Sequence, residues 1–179
     1  ALKQCNLLLC PEVDADSAVA SIYALLDPAT GRLEYSTAGQ PAPLRWHESV
    51  LSPAGTDAHG ILLGRELDTQ YLQDEVHLAE GEAVIFYSRG FANLRNETGE
   101  KFETYRFASA LRGSAGEAEN LAETLAQEVQ TFLGDDKPAP IDLTLLVLVR
   151  EVQPVGEPAP ANQEQSRVLA ALAETETDL

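Results

Sequence analysis

The chain has 179 residues, 44% of them apolar, and a formal net charge of −17. That length allows one compact domain with a core of its own, while the acidic balance makes nucleic acid and anionic lipid surfaces poor partners. No signal peptide is legible, and the longest apolar runs fall far short of a membrane span. Solubility is the plain reading of the charge, and a dedicated acidic interface is the other.

Residues 1–10, with Leu2, Cys5, Leu8 and Leu9, read as a short amphipathic helix stopped by Pro11. Its two cysteines, Cys5 and Cys10, fall on different faces and carry no metal-ligand spacing. A reduced, cytoplasmic compartment is therefore expected. The chain begins at Ala1 and holds no methionine, which fits a fragment or a processed chain. Residues 18–26 predict a strand, Asp27-Pro28-Ala29-Thr30-Gly31 a turn, and 32–37 the returning strand of a hairpin. A loop rich in glycine and proline follows, with a short strand near 44–46. The alternation over 70–78 predicts a half-buried strand, and 83–88 a buried one. Helices are expected over 101–112 and 117–133, the second placing Leu121, Leu125, Val129 and Phe132 on one face. The apolar run at 143–149 suits a central strand.

After Val152 the composition changes. Residues 153–161 hold three prolines and a glycine, so 1–152 is read as the domain and 153–163 as a linker. Residues 164–179 read as an acidic tail, and Asn162, just before it, would cap a helix carrying Val168, Leu169 and Leu172 as a partner-docking stripe. Strands, then two helices, then a strand argue for an α+β fold with antiparallel pairing.

Several spaced segments carry a resemblance. Tyr23-Ala-Leu-Leu-Asp-Pro-Ala-Thr-Gly-Arg-Leu33 reads as one hairpin, and Ala38-Gly39-Gln40-Pro41-Ala42-Pro43 as the loop after it. Gly60-Ile-Leu-Leu-Gly64, Leu78-Ala-Glu-Gly-Glu82 and Asp142-Leu-Thr-Leu-Leu146 follow in order, and Phe86-Tyr-Ser-Arg-Gly90 lies between the last two. Together, over residues 1–150, they resemble the PPM-type protein phosphatases in their bacterial SpoIIE-like branch. The resemblance implies a β-sandwich of two antiparallel sheets flanked by helices, here lacking the first strands. In active members, aspartates at one end of the sandwich hold Mg2+ or Mn2+ ions whose bridging water attacks a phosphoserine.

The departures fall on that chemistry. Arg89 stands where the resemblance puts a metal aspartate of Tyr-Thr-Asp-Gly, ahead of the retained Gly90, and a cation is no ligand for hard metals. Ile141 replaces the first acid of an Asp-Asp pair, leaving Asp142, and Gln40 replaces the loop histidine. Ala20 stands for a threonine, and Glu103 for a glycine. The family's early acidic motif and its Asp-x-Ser-Gly-His-Gly motif are absent from the chain. The implied reading is a pseudophosphatase with no metal cofactor. It would bind a protein partner in partner-switching or two-component signalling, such as an anti-anti-sigma (STAS) protein. The alternative is a divergent serine phosphatase using Mn2+ or Mg2+, with its missing ligands supplied from elsewhere. A dimerisation module, pairing two copies of the chain, is a third reading.

Other residues weigh less. Arg89 suits a phosphate by its fork, but a surface or salt-bridged arginine is the plainer reading. Asp142 is a leftover ligand or simply the acid that caps a turn. His47, His59 and His77 form no ligand pattern. Ser36, Ser88 and Ser114 lack a nucleophile-elbow context. The loop 55–64 lacks the Gly-Lys-Ser/Thr of a phosphate cradle. Trp46 is expected to be packed.

Overall fold

The structure, a computed structural model, describes residues 1–13, 17–55, 60–112, 114, 117–134 and 139–152. The expected linker and tail, with Val168, Leu169 and Leu172, lie outside the described residues, as does His59.

The chain runs α1 (Leu2–Leu9), β1 (Ser21–Asp27), β2 (Arg32–Ala38), β3 (Leu44–His47), β4 (Val50–Pro53), β5 (Asp74–His77), β6 (Ala83–Tyr87), α2 (Gly90–Asn93), α3 (Tyr105–Ala110), α4 (Ala118–Leu133) and β7 (Leu145–Val149). The strands form two sheets, one ordered β1-β2-β5 and the other β4-β3-β6-β7. Every strand pairing is antiparallel. The expected α+β sandwich is thus present, with α1 on the outer side of the first sheet and α3 and α4 on the outer side of the second.

The layering follows from alternation along the strands. In β6, Ala83 and Ile85 point to a core shared with Leu44, Trp46, Phe107, Leu121, Leu125 and Val147. Val84 and Phe86 point the other way, onto Leu33, Tyr35 and Val76 of the first sheet and Leu78 just after it. Ala83, Val84 and Ile85 are fully buried, so this strand has no solvent face. Beneath the second sheet, Phe91, Phe102, Phe107 and Phe132 stack edge-on or tilted, with ring centroids 5.1–5.8 Å apart. Trp46 is packed, as expected.

The β1–β2 turn forms as its sequence suggests. The Asp27 carboxylate accepts from the Ala29 N–H at 3.0 Å and the Thr30 hydroxyl at 2.8 Å, and Gly31 takes φ +74°. These two bonds, the hydroxyl first, hold the Asp27 carboxyl below its usual value.

Several expectations need correction. In α1 the buried face is Leu2 and Asn6, while Cys5 and Leu8 are exposed. A polar side chain takes the core position because it satisfies a loop. Asn6 donates to the Glu66 carbonyl at 2.7 Å and accepts the Gly64 N–H at 2.8 Å. The first strand begins at Ser21, and Val19 instead makes an isolated bridge to Leu63. Residues 70–73 leave the ladder because Ser36 Oγ takes the Leu72 carbonyl and Tyr71 packs against the α1 cluster. Residues 101–104 are not helical. Lys101 bridges to Arg95 and the Phe102 N–H donates to the Leu94 carbonyl, so their backbone serves another pairing. Strand β4 and helix α2 were not expected. The β3–β4 hairpin turns on Glu48 and Ser49 at φ +47° and +66°, in a loop where Asn-Gly is the usual signal.

One buried carboxylate ties the second sheet to its turn. Glu82 is 1% exposed. It accepts from Arg45 Nε and Nη2 and from the Ala79 N–H at 2.9 Å, with His47 Nδ1 3.2 Å away. Burial pushes its carboxyl up, but the Arg45 and Ala79 hydrogen bonds outweigh it, so the value lies below the ordinary 4.5. A depressed carboxyl contributes stability above its unfolded value and loses it as pH falls through the folded one. Glu82→Gln is expected to cost about 1–3 kcal/mol at neutral pH. The gap to wild type should narrow as pH falls below the ordinary carboxyl value, and urea unfolding across acid pH measures both.

Candidate functional site

The positions singled out in the sequence sit on three connections. Gln40 follows β2, Arg89 and Gly90 follow β6, and Ile141 and Asp142 precede β7. Antiparallel pairing of β6 with β7 matches Tyr87 to Leu145, so the end of one strand meets the start of the other. The junction is pinned by Ser88. Its N–H donates to the Thr144 carbonyl at 3.0 Å, and its hydroxyl accepts the Thr144 N–H at 3.1 Å. The first sheet is brought in by Gln40, whose Oε1 accepts the Arg89 N–H at 2.8 Å.

Gly90 explains why its neighbour comes so close. A Cβ built there would lie 2.6 Å from the Asp142 carbonyl oxygen and 3.0 Å from Leu143 Cδ2. The structure therefore brings Gln40, Arg89, Gly90 and Asp142 to one end of the sandwich. Arg89, Ile141 and Asp142 are all exposed there. No ion pair holds the Arg89 guanidinium among the described residues.

The donor set decides what this end can hold. It offers one carboxylate, one amide already bonded to backbone, an isoleucine and a guanidinium. Hard divalent cations take about six oxygen ligands each, and these residues do not fit a pair of them. Among the described residues, no three of His, Cys, Asp and Glu lie together as a metal-holding group. His47 and His77 sit apart, beside Glu82 and Glu75.

Sequence reasoning missed two features. The first is the Ser88–Thr144 clamp, because Ser88 reads as a failed nucleophile until its cross-strand partner is known. The second is a cleft of about 580 Å3 leading from this end between the sheets. Its walls include Ile22, Leu26 and Leu33 from one sheet and Phe86, Leu146 and Leu148 from the other. Tyr87 also lines it, and burial pushes that phenol up.

Residues 1–151 match the family described as Stage II sporulation protein E (SpoIIE). The chain is 26% identical over 155 residues to the phosphoserine phosphatase RsbU of Bacillus subtilis, an alignment covering 84% of this chain and 44% of RsbU. It thus spans less than half the length of that relative. Among solved structures it is similar to the SiaA-PP2C domain of Pseudomonas aeruginosa, with TM-score 0.67, 20% identity and coverage of 83% of this chain and 58% of that one. It is similar also to the phosphatase domain of SpoIIE from Bacillus subtilis, with TM-score 0.62, 16% identity and coverage of 89% and 70%. No helix among the described residues is long and apolar enough to cross a membrane.

Gly90→Ala is expected to push the β6–β7 junction apart and to cost about 1–3 kcal/mol. Denaturant unfolding measures the loss, and amide shifts of Asp142 to Thr144 should move while those of α4 stay in place.

Proposed function

The chain belongs to the SpoIIE family, and on that premise we propose that it is a catalytically inactive PPM-type domain acting as a protein-binding module in bacterial signalling. The observation that carries the reading is Arg89. It sits at the sandwich end, at the position that the resemblance assigns to a metal aspartate, with its N–H fixed by Gln40. Ile141 removes a second acid beside it. Without metal ions, water is not acidified towards neutrality, so no hydroxide nucleophile is supplied at neutral pH.

A recognition surface does not depend on that chemistry, because shape and apolar contact outlast the loss of ligands. The partner proposed is a protein of a partner-switching or two-component system, with a STAS anti-anti-sigma factor as the specific candidate. Soluble, cytoplasmic action accompanies this reading.

A second reading is favoured by the relatives themselves, which are named phosphatases, and by the share of RsbU that this chain spans, 44%. In it, ligands from a further segment complete a Mn2+- or Mg2+-dependent centre around Asp142.

Calorimetric titration with Mn2+ separates the two. The first reading expects no stoichiometric binding, and phosphoserine peptides hydrolysed no faster than in buffer. Arg89→Asp alone should leave both results unchanged, since Ile141 remains. A two-site isotherm accompanied by turnover overturns it.

A further inference from the structure

The segment between α2 and α3 folds back on itself. The Phe102 N–H donates to the Leu94 carbonyl at 2.9 Å, Arg95 bridges to Lys101, and the Asn96 N–H donates to the Glu100 carbonyl at 3.1 Å. Alternation along the two arms gives this small hairpin two faces. Leu94 and Phe102 point into the aromatic core, 0% and 5% exposed. On their side the Glu100 carboxylate accepts from Asn96 Nδ2 at 3.2 Å and from Arg106 Nη2 at 3.0 Å. Arg95 and Lys101 stand on the other side, and both are exposed.

Those two residues form a cation pair with no acid to separate them. Cβ atoms directly opposite each other in an antiparallel pair lie about 5 Å apart, and like charges there cost stability. Neither residue makes an ion pair among the described residues. Glu100 brings no relief, because its carboxylate is turned to Arg106. The chain has 29 acids, and one at either position would turn the repulsion into an attraction.

The pair is also held on a rigid support. Asn96 Oδ1 accepts from the Thr98 N–H and hydroxyl and from the Glu100 N–H, at 2.8–3.2 Å. Arg106 ties the hairpin to α4, with Nη1 3.2 Å from Glu128 and the guanidinium 4.6 Å from the Phe132 ring centre. Groups fixed in advance lose little freedom on binding. Tyr105, 58% exposed, stands on the same support with its ring centre 5.8 Å from the Arg106 guanidinium. Tyrosine and arginine are residue types that carry interface energy.

We propose that the outer face of this hairpin docks a short acidic segment of a protein partner, whose carboxylates meet Arg95 and Lys101. Nucleic acid and anionic membranes spread charge far beyond two cations, and the remainder of a chain of net charge −17 repels them. The inference rests on the reading of a protein partner given above, and not on the state of the metal positions.

Amide NMR titration of the full chain with a hexaglutamate peptide at low salt tests it. Shifts at Arg95 to Lys101 are expected to be about threefold larger than at Lys3, Arg65 and Arg112, which are exposed single cations. They should fade in about 1 M NaCl, where the Debye length is roughly 3 Å. Arg95→Ser/Lys101→Ser should remove them, with the α4 amides left in place because both side chains face solvent. Lys101→Gln, which keeps the Arg95 bond to the Gly99 carbonyl, should weaken them, and Lys101→Arg should retain them. Equal shifts at paired and single cations overturn the proposal, as do hairpin shifts that persist in the double variant. The double variant should respond to Mn2+ as wild type does, so the result at the hairpin is read separately from that at the sandwich end.

Discussion

The sandwich depends on β6 having no polar face. Four consecutive residues, Ala83 to Phe86, are buried, so the strand cannot sit at a surface and must have apolar layers on both sides. Ala83 and Ile85 demand the helices, and Val84 and Phe86 demand the first sheet. The strand is also hydrogen-bonded on both edges, to β3 and to β7. Each layer is therefore placed relative to this one segment, and the connection that leaves it, Ser88 to Gly90, inherits a fixed position. The site positions are gathered because the strand is buried.

Legibility tracked the range of the interactions involved. The β1–β2 hairpin was readable because Asp27, Thr30 and Gly31 bond within the turn itself. Helix α4 was readable because Leu121, Leu125 and Phe132 repeat with the period of one helical face. Where the deciding partner is far away in sequence, the reading slipped. Asn6 is buried only because Gly64 and Glu66 come to it. Residues 101–104 look helical, yet Lys101 and Phe102 pair back to Arg95 and Leu94. Hairpin β3–β4 bends through left-handed Glu48 and Ser49, residue types that do not signal a positive φ.

The candidate site divides the same way. That Arg89 and Ile141 stand where the resemblance puts acids is legible residue by residue, since it is a statement about side-chain chemistry. What the departures leave behind was not visible. The amide of Gln40 now caps the Arg89 N–H, and Gly90 still lets the Asp142 carbonyl pass against it. The backbone geometry of this end is thus supported by an amide-to-backbone hydrogen bond and a close main-chain approach. A scaffold can keep its shape after its chemistry changes when the contacts that shape it are main-chain contacts.

The hydrogen bond from Arg150 to the Thr30 carbonyl joins residues 120 apart in sequence. It closes the sandwich across nearly the whole described chain, and β7 pairs with β6 only from Leu145 onward. Closure of so long a loop is slow compared with the local hairpins. During synthesis the early hairpin and α1 emerge well before their final neighbours, with β1 and the inner face of β6 still bare. The parts of the sandwich that β7 completes therefore cannot close before residue 150 has been synthesised. For such a chain, a high negative charge keeps the waiting segments apart from one another and from other proteins in the cell.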